Sequence, residues 1–491
     1  MHRVRSCIIT SFIATLSTLT GSAIAAANGS VPDLILPGHQ AQDWFGSALA
    51  NAGDVDGDGL DDLIVGAPVS DADSPNRPGQ AFVYNANSGS LIWTFIGSEN
   101  GDKFGAAVAG IGDINNDSYS DLLVGAPGSD IAGSNAGRAY MYCGATGNLI
   151  DTIDGEAAED WFGFSVSRAG DIDGDDVPDF IVGARAPSNG RLGFAYVFSG
   201  ADRSVIHVLS GEASGQHFGF AVAGGGDCNG DNVPDVVVSA PFHPAAGVLG
   251  GRAYVFSGDD GSLLHMLTAE ASSNFFGISV GFAGDVNDDE HADIIVGADA
   301  NSAGGANAGR AYVYSGSDGA PLHVFTGDAA RGRFGRGVAT AGDVNGDGFA
   351  DLFIGQPSPT LVGGTGIGRA HVFCGQTGSL LTTYNAAETD DFFGFAVVGG
   401  GRFSGPCPAD LAVGAFASNV VGTQSGRIDV FHAIAEPCTP ADIDNSGAVD
   451  VFDLLIVLSN WGTPGQGAII APPYNVVDVF DLLDVLADWS G

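Results

Sequence analysis

A Phe-Gly pair recurs seven times along this chain, at Phe45-Gly46, Phe104-Gly105, Phe162-Gly163, Phe218-Gly219, Phe276-Gly277, Phe334-Gly335 and Phe393-Gly394. Successive pairs lie 56 to 59 residues apart. Eight residues after each glycine comes an acidic-loop position. Twelve further on begins a Gly-Ala-Pro-like triplet, as in Gly66-Ala67-Pro68 and Gly125-Ala126-Pro127. The register does not slip in any unit, so the chain is a repeat architecture.

Each unit reads as four strands. The first follows the Phe-Gly pair, as at 165–169. The second is a continuous apolar run, as at 122–125. The third carries Gly-Arg-Ala-Tyr-Val, as at 309–313, and the fourth follows a turn, as at 263–267. Seven such units predict an all-β, seven-bladed β-propeller with four-stranded antiparallel blades, whose radial closure protects its edges. A β-solenoid would normally have a shorter period. The seventh unit ends after its third strand, near 426–433, while an orphan apolar segment, 33–36, precedes the first pair. That segment is expected to complete the last blade. The propeller therefore spans 33–435.

Composition agrees. Glycine supplies 77 of 491 residues, more than twice the usual ~7%, as many tight turns require. Lys plus Arg is 17 against 58 Asp plus Glu, a formal charge of -41, and Lys103 is the only lysine. Such a surface as a whole repels phosphate backbones and anionic headgroups, so nucleic acid and membrane surfaces are poor partners. At 45% hydrophobic and 15% charged, the chain can bury a core and is not a disordered acidic polymer.

Residues 1–25 read as a signal peptide: Arg3 and Arg5, an uncharged stretch from Cys7 to Ile24, and the small-x-small pattern Ala23-Ile24-Ala25. No later stretch reaches the ~18 apolar residues of a spanning helix. The mature chain is expected to be secreted, extracellular or at the cell surface. It keeps five cysteines, an odd number, with Cys407 and Cys438 as the candidate pair and Cys143, Cys228 and Cys374 as buried small residues. No CxxC is present, so zinc has no support.

Six loops place oxygen donors at positions one, three, five, seven (a backbone carbonyl) and nine. They are Asp54, Asp56, Asp58, Leu60, Asp62; Asp113, Asn115, Asp117, Tyr119, Asp121; and Asp171, Asp173, Asp175, Val177, Asp179. The others are Asp227, Asn229, Asp231, Val233, Asp235; Asp285, Asn287, Asp289, His291, Asp293; and Asp343, Asn345, Asp347, Phe349, Asp351. Hard Ca²⁺ takes six to eight oxygens in a flexible shell, and Mg²⁺ needs a smaller, rigid octahedron. Six loops in one register point to about six Ca²⁺ ions. Position six is Gly59 or Gly348 in the first and last loops but Ser118, Asp176, Asn232 and Glu290 in the others. A left-handed backbone there costs glycine least. In the seventh loop the equivalent positions are Arg402, Ser404, Pro406 and Asp410. Arg402 is expected to replace the ion and to bond Asp410.

The Phe-Gly and Gly-Ala-Pro elements bracketing D-x-[DN]-x-[DN]-x-x-x-D resemble the FG-GAP repeats of the integrin α-subunit propeller. The resemblance implies calcium loops between first and second strands on one face, and ligand contact on the other, built by loops after the second and fourth strands. The former include 69–78, 128–136 and 358–367, which differ in length and sequence. They carry Arg77, Asn135, Asn189, Arg191, His243 and Asn419, side chains suited to hydrogen bonds with sugars or protein loops.

Beyond Glu436-Pro437 the pattern changes. Asp442, Asp444, Ser446, Ala448 (carbonyl), Asp450 and Asp453 have EF-hand spacing, with Gly447 at the turn. The block Val-Asp-Val-Phe-Asp-Leu-Leu at 449–455 recurs at 477–483. Residues 438–491 resemble a type I dockerin, an α-helical, EF-hand-like module with one or two Ca²⁺ ions. The family attaches secreted proteins to cohesins, so a cohesin-like or surface partner is implied. Val451-Phe452 stand where its polar recognition residues would be.

Catalytic signals are weak. Gly277-Ile278-Ser279-Val280-Gly281 fits the nucleophile-elbow pattern, but its serine falls in a first strand rather than a strand-to-helix turn. His207, His265 and His323 recur at one place in fourth strands, which suits a structural role. Arg138, Arg252, Arg310, Arg369 and Arg427 are expected to tie blades together. Trp44, Trp161, Phe275 and Phe392, just before Phe-Gly pairs, serve either interblade packing or a binding surface. No catalytic residue is assigned. The reading is a secreted calcium-binding propeller acting as a binding or adhesion module for protein or polysaccharide, with the tail for attachment. The alternative is an extracellular polysaccharide lyase or hydrolase using the central pocket.

Overall fold

The structure is a computed structural model and describes residues 31–69, 77–186, 190–358, 366–405 and 409–432. Every regular element among these residues is a β-strand, 28 in all, in seven four-stranded sheets. Blade 1 runs Ala48–Gly53, Asp62–Ala67, Gln80–Tyr84, Leu91–Ile96, and blades 2 to 6 repeat this meander. Pairing within each blade is antiparallel. Blade 7 takes Val397–Gly401, Asp410–Gly414 and Arg427–Phe431 from the end of the chain. Its fourth strand is Leu34–Pro37, as expected, with Leu34 opposite Val430 and Pro37 opposite Arg427. The first strand of blade 3 starts earlier than its sequence suggests. It includes Phe162-Gly163, with a bulge before Ser165.

Burial changes from channel to rim. First strands line the axis, and second strands from Asp62–Ala67 through Asp351–Gln356 are buried at every position. Blades cover both faces of these strands, which explains their continuous apolar sequence. Fourth strands such as Val205–Ser210 alternate exposed and buried. The core is a set of interblade seams. One joins Ile64, Val83 and Phe95 of blade 1 to Leu122, Val124 and Tyr140 of blade 2.

The Phe-Gly and Gly-Ala-Pro spacing has a physical cause. The phenylalanine is buried in all seven units; in the first five it meets a third-strand tyrosine edge-on, as Phe104 meets Tyr140 at 5.1 Å, while Phe334 and Phe393 meet Phe373 and Phe431. The glycine N–H bonds the first residue of the triplet, as from Gly105 to the Gly125 carbonyl at 3.0 Å. That triplet residue also abuts the next blade. A Cβ on Gly125 would stand 2.0 Å from the Gly163 carbonyl oxygen. The motif is therefore a hydrogen bond within a blade and a close backbone approach between blades.

Further ties cross the seams. His207, His265 and His323 meet the carbonyls of Gly258, Gly316 and Gly375 at 2.5 to 2.6 Å. Trp93 occupies the same strand position and donates to the Gly144 carbonyl at 2.7 Å. The third-strand arginines divide. Arg252, Arg310 and Arg369 reach Glu212, Glu270 and Asp328 in the connections between blades. Arg138 pairs within its own blade with Asp154, and Arg427 with Asp429 on its own strand. The blade-to-blade role expected for all five holds for three.

Candidate metal loops and the opposite face

The six acidic loops share one backbone. The position-one aspartate accepts N–H groups from its own loop: Asp54 from Gly57 and Gly59, Asp227 from Gly230 and Asn232, Asp285 from Asp288 and Glu290, Asp343 from Gly346 and Gly348. Asp113 and Asp171 do the same toward Ser118 and Asp176. Position six is left-handed in every loop, with φ of 87° at Gly59, 74° at Ser118, 66° at Asp176, 65° at Asn232, 67° at Glu290 and 87° at Gly348. Position five accepts the N–H of position seven, as Asp58 does from Leu60, Asp117 from Tyr119, Asp175 from Val177, Asp231 from Val233, Asp289 from His291 and Asp347 from Phe349.

The position-nine aspartates lie beneath. Asp62, Asp121, Asp179, Asp235, Asp293 and Asp351 are fully buried. Each accepts the N–H of position two, as Asp62 does from Val55 at 2.9 Å. Five also accept a glycine N–H from the end of the third strand, as Asp121 does from Gly144 at 2.9 Å. In blade 1 that glycine is Ala86, and Oδ1 of Asp62 is left without a partner. Burial first, and the neighbouring carboxylates second in sign, raise these acids: Asp62 to about 8, Asp121 and Asp293 to about 6.

Donor atoms converge within 4.8 Å in four loops: Asp54, Asp56 and Asp58; Asp171, Asp173 and Asp179; Asp117, Asp121 and Cys143; Asp347, Asp351 and Cys374. The last two sets contain residues that sequence reading passed over as small buried groups. The residue ending the third strand swings under the loop in several blades. Asn85 donates to Asp56 and Asp58, Cys143 to Asp117, Ser315 to Asp289 and Cys374 to Asp347. Their shared place after Gly-Arg-Ala-Tyr-Val was the available signal. Position-three amides of Asn115, Asn229, Asn287 and Asn345 turn Nδ2 toward a carboxylate. An amide flip would present oxygen instead. The donor set, mostly carboxylate and carbonyl oxygen on a loop with two faces of backbone support, fits Ca²⁺.

The seventh loop corrects one expectation. Arg402 does not bond Asp410. Its N–H goes to Asp61 and its guanidinium to the Gly59 carbonyl at 3.4 Å, both in the blade 1 loop. Ser404 takes Asp410, through its N–H at 2.6 Å and its hydroxyl. Arg402 thus braces the neighbouring acidic loop. Pro406, Asn189, the Cys407–Cys438 pair, the 1–25 leader and the tail ligands Asp442, Asp444, Ser446, Ala448, Asp450 and Asp453 lie outside the described residues.

The central channel encloses about 240 Å³ and is lined by small and apolar side chains, including Ala48, Ala107, Phe164, Val222, Val338 and Val397. Among the described residues, the lining of this cavity holds no acid, histidine, cysteine or cation. Its hydroxyls are structural: Ser279 donates to the Gly335 carbonyl at 2.9 Å, which removes the nucleophile-elbow reading, and Ser165 to Gly219. On the face opposite the acidic loops, Trp44, Trp161, Phe275 and Phe392 all take left-handed backbones (φ 51–57°) and stay half-buried. Arg77 pairs with Asp43, Arg191 with Glu156 and Asp160, and His243 with Glu212. Asn135 bonds Glu159, and Asn419 caps the N–H of Gln424. Among the described residues no helix is long and apolar enough to cross a membrane.

The FG-GAP repeat family matches residues 45–84, 104–142 and 334–373. Integrin alpha-8 of Gallus gallus is 34% identical over 163 residues, 30% of this chain and 15% of the relative. Integrin alpha-5 of Xenopus laevis is 32% identical over 235 residues, 45% of this chain and 22% of the relative. Integrin alpha-7 of Homo sapiens is 34% identical over 194 residues, 37% of this chain and 15% of the relative. The matched part of the chain thus spans between 15% and 22% of these relatives. The solved structure of the Dos1 propeller aligns with a TM-score of 0.43 at 12% identity, covering 76% of this chain and 75% of that one. The chain is a seven-bladed β-propeller that carries FG-GAP repeats at 45–84, 104–142 and 334–373 and is similar, over part of its length, to integrin α subunits.

Proposed function

We propose that this chain is a secreted, calcium-stabilised binding module that meets an extracellular protein or polysaccharide through the face opposite its acidic loops. The dockerin-like tail serves as its attachment to a cohesin-like or surface partner. The observation that carries the reading is the division of labour between the two faces. Six loops of one backbone gather carboxylates on one side, while the other side carries half-buried aromatic rings and connections of unequal length. Rigid scaffolds carry recognition on such variable loops. Among the described residues, the cavity between the first strands is lined without a titratable side chain; this supports binding there over lyase or hydrolase chemistry, which needs a positioned acid or base.

Calcium acts at a distance in this reading, by holding first and second strands together. Extracellular sites bind at about 10⁻⁴–10⁻³ M. At tenfold excess each site adds roughly 1.4 kcal/mol, so six would add about 8 kcal/mol, comparable with a domain's whole stability. The test is melting with calcium and with chelator, alongside a glycan and surface-protein binding screen. A large chelator-induced drop in Tm is expected. An unchanged curve refutes the six sites. Binding that survives Arg77→Ala, Arg191→Ala and His243→Ala together but disappears with Asp54→Ala in a folded protein places recognition on the acidic face instead.

A further inference from the structure

The mouth of the channel, on the face opposite the acidic loops, holds two arginines, Arg185 and Arg336, that form no ion pair among the described residues. Most arginines of this face are spent on acids: Arg77 on Asp43, Arg252 on Glu212, Arg310 on Glu270, Arg333 on Asp299, Arg369 on Asp328. Arg185, which follows the second strand of blade 3, differs. Its guanidinium carbon lies 3.9 Å from the centre of the Phe164 ring, 4.6 Å from Trp161 and 5.7 Å from Phe220. Among the described residues it has no ion pair, and its Nε is buried without a hydrogen-bond partner. The chain has 58 acidic side chains, so the missing counter-charge is a local feature of this mouth and not a shortage.

The surroundings extend the pattern into an arc. Phe164 meets Phe220 at 5.1 Å, Phe220 meets Phe242 at 6.3 Å, and Phe242 meets Phe275 at 5.3 Å. His217 stacks on Phe242 at 4.1 Å and leaves its own Nδ1 without a partner. Lys103 lies 4.4 Å over Trp161. In blades 6 and 7 Arg336, also without an ion pair among the described residues, sits 4.4 Å over Phe395. These rings are only half-buried. Neighbouring rings are tilted 49–63° to one another and are large, rigid apolar surfaces on which the C–H face of a pyranose can rest. A guanidinium already stacked on aromatics is pre-oriented to take a carboxylate through two parallel N–H bonds.

Resting on the reading that this face is the binding face, we propose that the channel mouth binds an anionic polysaccharide. Sugar rings stack along the Trp161–Phe275 arc, and a uronate carboxylate pairs with Arg185, with Arg336 as a second anchor. The guanidinium then gains the counter-charge that the fold withholds. An acidic peptide would satisfy the cations but not use the row of rings.

The test is calorimetry on the full chain in calcium with three probes: hexagalacturonate, its methyl ester, and hexaglutamate. Variants are Arg185→Gln, Arg336→Gln and Phe164→Ala, with Asp56→Asn as an acidic-face control, and melting curves monitor the fold. Hexagalacturonate should bind, and more weakly as salt rises. The methyl ester should bind at least tenfold more weakly. Arg185→Gln and Phe164→Ala should each weaken hexagalacturonate about ten- to hundredfold. The ester comparison stands even where a variant misfolds. Equal binding of hexaglutamate means an acidic protein partner and overturns the polysaccharide. Equal binding of the ester overturns the role of charge. Absence of binding by every probe overturns this inference and leaves the choice of face to its own loop variants. Loss with Asp56→Asn alone puts the ligand on the acidic face and sinks both readings.

Discussion

Leu36 lies directly across the ladder from Ile428, and both are buried in the seam between blades 7 and 1. The chain's two described ends therefore meet in one sheet. Leu36→Ala removes a buried side chain from a site that cannot collapse, and should cost about 2–5 kcal/mol. Ile35→Ala, on a side chain that is 48% exposed, should cost under about 0.5 kcal/mol. Urea unfolding of the two variants decides it. Equal midpoints would mean that the N-terminal strand does not latch the ring.

The ring nitrogens of fourth strands hold successive seams. His265→Ala leaves the Gly316 carbonyl without its 2.6 Å partner and should cost about 1–2 kcal/mol. His207→Ala and His323→Ala act in other seams, so the three costs should add. A triple variant no weaker than the single one would show that these contacts are incidental.

Backbone strain in the acidic loops can be read separately from metal ligation. Ser118 holds φ 74° on an exposed turn, a conformation that costs a side-chain residue about 1–2 kcal/mol. Ser118→Gly should therefore stabilise the protein by about 0.5–1 kcal/mol in the presence of chelator. Gly59→Ala should do the reverse. A Cβ there meets nothing within 4 Å, and φ is 87°, so any loss is conformational. Same-sign effects in melting would contradict this.

His371 gives a pH signature. Its Nδ1 faces Thr383 and its Nε2 faces Gln356. Burial, then the nearby Arg369, lowers its pKa from 6.5 to about 4. The unfolded chain therefore takes up this proton first as pH falls. The stability tied to neutral His371 is complete above pH 6.5 and is lost between 6.5 and about 4, in total about 3 kcal/mol. His371→Gln should lose less stability than the parent over that window, since all other titrations are shared. Parallel pH profiles would reject it.

The blade count, the strand order and the closing strand were legible because one unit is written seven times. The position-six backbone was legible for the same reason, since glycine in two loops marks the conformation of all six. Arg402 was misread because its partner, Asp61, belongs to the adjacent loop in space and to the opposite end in sequence. Cys143 and Cys374 are buried, as expected, but their place beside the loop carboxylates was not legible, because the end of a third strand passes beneath the acidic loop, a proximity that no spacing encodes. The aromatic arc was only half seen. Trp161 and Phe275 stood out before their Phe-Gly pairs, but Arg185 and Phe242 belong to second-strand ends of different blades. Only the ring brings them together.

The closing ladder also fixes an orientation. Leu34 pairs with Val430, so the chain enters blade 7 and leaves it at the same end, beside the third-to-fourth-strand turns and the acidic loops. A tether on either side of the described chain would pull from that end. It would turn the acidic loops toward its anchor and the channel mouth outward. Tension between the two ends would unzip the Leu34–Val430 ladder one hydrogen bond at a time instead of shearing it whole. The same strand that completes the ring is thus its mechanical weak point, and the remaining six blades are shielded from load until it yields.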